Sequence, residues 1–320
     1  MRLTCSLGPE IINLLGAIAE KKGEVKAYFL NNLEPRSTEE NRIDSVHATI
    51  YLQDRGMDRE TCADIIQGLS VRAPREKIRE LKNTMRIYKK LSSFDPFSQD
   101  SFKLAHKDLI NEPNTKPAYR KELVATYYWS GYIGMSPSLH EMRTGMKDLF
   151  HYLRHGKDPL LIKSCVCHYA IQFYQPFDRE NEIMSRLWQT CLLMEEHPFF
   201  EFLPWEKEIL SNKKKYYSRL PDRELNTDTS DFVKHMLELI NNSLNSLLLS
   251  CRKSVRPMDR IRYFYTLGRS NFSRKDYMLV HKNISLATAY RDLDLGVGTG
   301  FFKKHGEKNQ TTYSCSPLFE

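Results

Sequence analysis

The feature that most constrains the fold of this chain is the helical spacing of apolar residues over most of its first 250 positions. Ile11, Leu14, Leu15 and Ile18 recur at intervals of three and four, which is typical of one helix face. No apolar run approaches the roughly 18 residues of a membrane helix, and no period of roughly 20–50 residues repeats. The N-terminus shows no apolar signal segment. The pattern predicts a mainly α, cytoplasmic protein.

Proline and glycine divide this helical part into separate elements. Two short strands joined as a hairpin are predicted at Ala125–Tyr128 and Gly131–Met135. The clearest predicted helices are Glu141–Leu153, Pro159–Tyr174, Glu182–Glu195 and Phe232–Leu249.

The texture of the sequence changes after Leu249. Ser250–Pro257 is polar and basic and is predicted to be a linker. Helices at Met258–Leu267 and Ser273–His281 follow, and Ser285 caps a third that runs to about Leu295, with Gly296 expected to end it early. This third helix is predicted to bury Leu286, Ala289 and Leu293. Phe301–Lys304 and Thr311–Ser314 then form a hairpin.

The charge is concentrated in this last part of the chain. The formal net charge is +8, and residues 254–320 hold eleven Lys/Arg against six Asp/Glu. A basic terminal module predicts a polyanionic partner, and a solvated basic face is the alternative. The seven cysteines include no C-x-x-C pair, so reduced, buried thiols are expected and no zinc site.

One segment is specific enough to compare with a family. Cys167–Leu187 resembles the core of the Fic (Fido) family, whose motif is H-P-F-x-[DE]-G-N-G-R-x-x-R. Pro176 and Phe177 set the register, with Asn181 in the middle and Arg186 at the end. His168 precedes the motif on an apolar helix face and is interpreted as a core histidine.

The resemblance extends along the chain. Gly131, Tyr132, Ile133 and Gly134 are similar to the family's flap, and Arg42–Gln53 to its inhibitory helix, with Gln53 at the position of the inhibitory glutamate. The tail is similar to the winged helix of many bacterial members. The resemblance implies a mainly α fold, a Fic-type helical core with a small β-hairpin flap, and a C-terminal winged helix-turn-helix. The domains expected are 1–95, 96–250 and 254–320.

Active members transfer AMP from ATP to a protein hydroxyl, and this chain departs from their motif at the chemical positions. The general-base position is Gln175, whose amide does not accept a proton at neutral pH. Arg179 replaces the magnesium ligand, and Ile183 the first phosphate clamp. Glu180 and Glu182 replace the two glycines of the anion nest. These losses predict an impaired enzyme with no catalytic residue and no bound cofactor.

Three alternatives stay open at this stage. An active protein adenylyltransferase with an atypical site would still need ATP and Mg²⁺. Asp178, Glu180 and Glu182 could bind a hard cation instead of forming a solvated loop, although no metal site is expected. A homodimer with a purely structural role is the third. A hydrogen bond between Gln53 and Arg186 is also open, as a weaker form of the family's inhibitory pair.

The tail predicts DNA as a partner. In a winged helix the third helix enters the major groove, so Ser285, Thr288 and Arg291 are expected to face the bases. Lys303, Lys304 and Lys308 are expected to contact phosphates, whereas Asp292 and Asp294 weaken the prediction. The alternatives are packing against the helical core and self-association.

Overall fold

The structure is a computed structural model, and it describes residues 3–32, 35–53, 56–128, 131–221, 228–254, 257–281, 284–306 and 311–316. Two compact units are present, Met1–Leu247 and Leu248–Glu320. No helix among these residues combines the length and apolar character needed to cross a membrane.

The first unit is built almost entirely of helices. Its helices are α1 (Pro9–Asn32), α2 (Pro35–Leu52), α3 (Arg59–Ile66), α4 (Arg75–Tyr88), α5 (Gln99–Ile110), α6 (Leu139–His155), α7 (Leu160–Tyr174), α8 (Asn181–Glu196), α9 (Trp205–Ser211), α10 (Lys213–Tyr217) and the part of α11 (Ser230–Ser254) that precedes Leu248. The predicted helices from residue 141 to residue 249 each lie within α6, α7, α8 or α11 or overlap it to within one residue, which confirms a mainly α fold.

One core joins these helices. Phe102 of α5 is fully buried and packs edge-on against Trp188 of α8, with ring centroids 4.9 Å apart. Residues of α2 and α4, such as Val46 and Leu81, belong to the same buried cluster. The predicted N-terminal region, 1–95, therefore contributes to the core that contains α7 and α8.

The predicted hairpin is confirmed. Strands β1 (Ala125–Tyr128) and β2 (Gly131–Met135) pair antiparallel, with Ala125 opposite Met135, and the register shifts once between Thr126 and Tyr127.

The second unit has three helices and a two-stranded antiparallel sheet among its described residues. These elements are α12 (Pro257–Thr266), α13 (Arg274–Val280), α14 (Leu286–Gly298), β3 (Phe302–His305) and β4 (Thr312–Cys315). Phe272, which precedes α13, exchanges two backbone hydrogen bonds with Tyr313 of β4, at 2.8 and 2.7 Å. The order of elements matches the sequence prediction.

Three details of the tail were predicted wrongly. The expected linker is helical as far as Ser254, because α11 meets no breaker before Pro257. Helix α14 continues through Gly296 to Gly298. Close packing, and not a helix end, explains the glycine at position 296, because a Cβ there would lie 2.3 Å from the Phe302 ring. Leu286 is exposed, because the first residue of α14 that is buried in the core of this unit is Ala289, one turn later.

Candidate functional site

The segment that resembles the Fic motif forms a tight loop, the motif loop (residues 175–180), between the buried helix α7 and helix α8. Gln175 ends α7 in the left-handed backbone region, at φ 45°, and Glu180 precedes α8 in the same region, at φ 64°. Both conformations favour glycine or asparagine. The loop geometry therefore persists although neither residue is one that adopts it readily.

Arg120 anchors the start of the loop by hydrogen bonds to its backbone carbonyls. Its buried guanidinium donates from Nε to the Gln175 carbonyl at 2.7 Å and from an Nη to the Pro137 carbonyl at 2.6 Å. Its backbone N–H donates to the Pro176 carbonyl at 2.9 Å. Arg120 thus ties the loop to the segment between the hairpin and α6.

Asn181 and His106 hold the middle of the loop. The Asn181 amide accepts from the Phe177 N–H at 2.9 Å and donates to the Phe177 carbonyl at 2.8 Å. The His106 ring stacks on Phe177 at 3.7 Å and its Nε2 bonds the Arg179 carbonyl at 3.1 Å. Burial lowers the pKa of His106 to about 4, so the stacked ring is neutral at pH 7 and the contact is structural.

Two of the substituted motif residues, Gln175 and Arg179, bond groups outside the loop. The Gln175 amide donates to the Gln172 carbonyl at 2.7 Å, back onto its own helix. Arg179 is half exposed and pairs with Glu112 at 2.6 Å across the surface. Neither side chain can act as a general base at neutral pH.

Gln53, just after α2, reaches the loop as the resemblance implied. Its amide Nε2 donates to the Glu180 carboxylate at 3.2 Å. The Gln53–Arg186 hydrogen bond considered from the sequence does not form: an Nη of Arg186 faces the Thr49 carbonyl at 3.4 Å instead. Gln53 therefore bonds Glu180 and not Arg186.

Arg186 is fully buried and its nearest carboxylate is Glu182, one turn earlier, at 3.6 Å. The Glu182 carboxylate also accepts from the Tyr217 hydroxyl at 3.0 Å. Burial raises the pKa of Glu182, and the facing Arg186 and Tyr217 partly offset that rise. Ile183, at the first clamp position, is buried in the core. Of the three carboxylates considered for a shared cation, Glu180 is thus engaged by Gln53 and Glu182 by Arg186 and Tyr217, while Asp178 is exposed.

The hairpin presents aromatic residues to solvent. Tyr132 and Tyr127 are largely exposed and their ring centroids lie 5.5 Å apart. Gly131 and Gly134 adopt positive φ angles, 114° and 144°, and flank Tyr132 and Ile133 on β2.

In the second unit, the predicted base-facing residues lie on α14. Ser285 caps the helix by accepting from the Thr288 N–H at 3.1 Å, and Arg291 is exposed. Lys303 and Lys304 are exposed on β3, and Lys308 lies outside the described residues. Asp292, expected to weaken this surface, is instead buried: Arg260 of α12 donates to both its carboxylate oxygens, at 2.6 and 2.9 Å.

Known structures resemble this architecture over its whole length. A Fic family protein from Desulfovibrio desulfuricans G20 matches with a TM-score of 0.75 at 23% identity, over 100% of this chain and 99% of its own. The chain has the Fic fold. A Fic domain-containing signaling protein from Bacteroides thetaiotaomicron (TM-score 0.61, 13% identity, 75% of this chain and 98% of its own) shares that fold. So does a fragment of Fic-1 from C. elegans (0.58, 15%, 76% and 73%). No family model and no curated protein matches the sequence.

Behind the loop of this Fic fold lies a buried polar network that sequence reasoning missed. The fully buried Glu206 accepts from Ser45 at 2.9 Å and from the Tyr88 hydroxyl at 2.8 Å, and burial raises its pKa. His168, interpreted from the sequence as a core histidine, is fully buried and bonded through Nδ1 to Gln189 and through Nε2 to Tyr216, both at 2.7 Å. Glu206 gave no signal in the sequence, because it follows Trp205 on a short, otherwise ordinary amphipathic helix.

Proposed function

We propose that this chain is a catalytically impaired Fic-fold protein that binds DNA through its second unit, which acts as a winged helix. The observation that carries the first half is the state of the motif loop. Gln175 stands where a general base is needed and bonds back to its own helix, so no group at that position can take a proton from a hydroxyl.

ATP and Mg²⁺, which the Fic fold implies, do not fit the residues of this loop. A magnesium site needs oxygen ligands, and the position of that ligand holds Arg179, paired with Glu112. A phosphate nest needs backbone N–H groups that anions can approach, and carboxylates at Glu180 and Glu182 repel phosphate there. We derive no catalytic step through either group.

The electrostatics of α14 support the second half of the proposal. Since Arg260 neutralises Asp292 inside the unit, the exposed part of the helix carries Arg291, with Ser285 and the half-buried Thr288 beside it, and one acid, Asp294. Lys303 and Lys304 add two exposed cations on the hairpin that follows. A helix with a base-reading cation and a basic hairpin next to it is the arrangement by which winged helices bind duplex DNA.

Fluorescence anisotropy of the full chain with labelled genomic duplexes tests the DNA proposal. Affinity is expected to fall steeply with salt, since each neutralised phosphate contributes a log–log slope of roughly −0.9. Replacing Lys303 and Lys304 by alanine should weaken binding on every sequence and flatten the slope by about one for each lysine that binds a phosphate. Arg291→Ala should relax sequence preference by about 1–3 kcal/mol.

The matched control replaces two other exposed lysines, Lys82 in α4 and Lys89 just after it, by alanine and removes the same charge elsewhere. It should leave the slope unchanged. No binding at low salt, or an equal loss in both double variants, would refute the DNA proposal. A dimer is part of the proposal, because the second unit is small, and sedimentation with and without DNA measures it.

A further inference from the structure

Two adjoining clefts lie between α5 and α6. One has a volume of about 290 Å³ and is lined from Phe97 to Asp100 and along α6. The other, of about 470 Å³, is lined by α5, α6 and the segment 117–121. Gln99 and Lys147 line both, so the two clefts adjoin at these residues and are together called the groove.

The groove is strongly cationic. Five of its lining side chains carry a positive charge, whereas one carboxylate, Asp100, lines it among the described residues. The cations are Lys103, Lys121, Arg143, Lys147 and Arg154. Asp100 pairs with Lys103 at 2.6 Å and Arg154 lies 3.8 Å from Asp95. In the described part of the chain, no carboxylate lies within ion-pair distance of Lys121, Arg143 or Lys147.

This arrangement carries a cost that the fold does not require. Arg143 and Lys147 are four residues apart on α6 and share one face. Like charges at that spacing destabilise a helix by a few tenths of a kcal/mol per pair. A carboxylate at either position would remove the repulsion. The convergence of cations around a concave site therefore points to a ligand and not to folding.

The chemistry of the groove narrows the ligand. Its volume lies in the range of small-molecule sites and is too small for a duplex. Lysine ammonium groups bind phosphate as point charges, and one phosphate carries close to two negative charges. A single carboxylate would leave most of the cations uncompensated. Below them, Pro117 and Tyr119 form an apolar wall, and Lys103 lies over the Tyr119 ring at 5.5 Å.

We propose that the groove between α5 and α6 is a binding site for a small ligand that carries several phosphate groups. No motif-loop residue lines the groove, although Tyr119 packs against Phe177 of that loop with ring centroids 5.7 Å apart, and the proposal does not depend on DNA binding. The Ser98-capped start of α5 faces the same groove and adds the positive end of a twelve-residue helix.

Isothermal titration of the full chain with inorganic tripolyphosphate, without Mg²⁺, tests the site. We expect saturable binding of one equivalent that weakens with salt. Replacing Arg143 and Lys147 by alanine should weaken it roughly tenfold or more, because two of the five cations are removed. Both side chains are exposed, so the variant should melt at the wild-type temperature or slightly above it.

The same titration of the Lys82→Ala, Lys89→Ala double variant is the matched control, and it should bind as the wild type does. A titration with ATP distinguishes a nucleotide from a plain phosphate chain: tighter binding that also requires Arg143 and Lys147 would assign a nucleoside polyphosphate, and equal binding a simple oligophosphate. Absence of binding, or an equal loss in both double variants, would overturn the proposal.

Discussion

At the scale of single residues, the motif loop keeps a backbone that its side chains do not favour. Glu180 holds φ 64° where the Fic motif has glycine. The left-handed region costs a residue with a Cβ about 1–2 kcal/mol. The hydrogen bonds of Asn181 and Arg120 around the loop hold this conformation. Glu180 therefore adopts a left-handed backbone conformation that glycine would adopt at a lower cost.

The first prediction compares two replacements of Glu180. Both Glu180→Gly and Glu180→Ala lose the bond to Gln53 and differ only by one methyl group. The glycine variant should be more stable than the alanine variant by about 0.5–1 kcal/mol in urea unfolding. At Lys82, inside helix α4, the order should be reversed. Equal stabilities at position 180 would contradict a strained loop.

The second prediction concerns the buried pair of the second unit. Asp292→Ala leaves the Arg260 guanidinium uncompensated, and removing one partner of a buried pair costs about 3–5 kcal/mol. Asp294→Ala, which changes the exposed acid two residues later, should cost about 0.5 kcal/mol or less. Chemical unfolding of both variants measures the difference. Similar losses would mean that Asp292 is not engaged.

At the scale of elements, α2 ends directly on the loop that precedes α8. The third prediction tests that contact. Gln53→Glu places a carboxylate where Nε2 now lies 3.2 Å from the Glu180 carboxylate, and repulsion there should destabilise the chain by about 1 kcal/mol. Adding Glu180→Gln should restore the loss. A cycle with no coupling between the two positions would show that α2 does not contact the loop in this way.

The element scale also shows what the sequence can predict. Apolar spacing located α6, which buries one face, and the apolar run of α7, which is buried on all sides. It failed at Leu286, since periodicity gives the direction of a side chain but not where the core ends. Asp292 was expected on the surface because its partner, Arg260, lies 32 residues earlier in the chain. Pairings of this kind depend on tertiary contacts that no local pattern contains.

The motif loop was likewise predictable from the sequence except for its tertiary contacts. Its position, its neighbours Gln53 and Asn181, and the loss of its base were all readable from the resemblance. The Gln53–Glu180 bond was not, because it depends on which of two nearby polar groups faces the end of α2. The network of Glu206 with Ser45 and Tyr88 was missed for the same reason, since its members lie far apart in sequence.

At the scale of the whole molecule, buried histidines make stability depend on pH. The fourth prediction concerns His168, whose pKa burial lowers to about 3, against about 6.5 in an unfolded chain. Between these values the unfolded state binds a proton that the native state does not, so stability is lost as pH falls. The slope from this group reaches about 1.4 kcal/mol per pH unit.

Urea unfolding between pH 6 and pH 4 measures that slope. His168→Gln should flatten it by about one proton's worth, whereas His140→Gln, at an exposed histidine, should leave it unchanged. Parallel curves for His168→Gln and the wild type would contradict a neutral, buried His168.

The two units divide the work of the molecule in this account. The first has a Fic fold, and its motif loop is proposed to lack the base, metal ligand, nest and first clamp, whereas the second is proposed to hold the DNA-binding surface. The central claim is that the loop does not transfer nucleotide. A single restored residue should not change that, because Arg179, Glu180 and Glu182 still oppose Mg²⁺ and phosphate at the loop.

The most direct test incubates the purified full chain with ATP labelled on its α-phosphate, Mg²⁺ and a lysate, and measures covalent label. The wild type and Gln175→His should both stay unlabelled. The variant that combines Gln175→His with Arg179→Asp, Glu180→Gly, Glu182→Gly and Ile183→Arg should recover nucleotide binding. Labelling by the wild type that disappears in Gln175→Ala, or robust transfer by Gln175→His alone, would contradict the account.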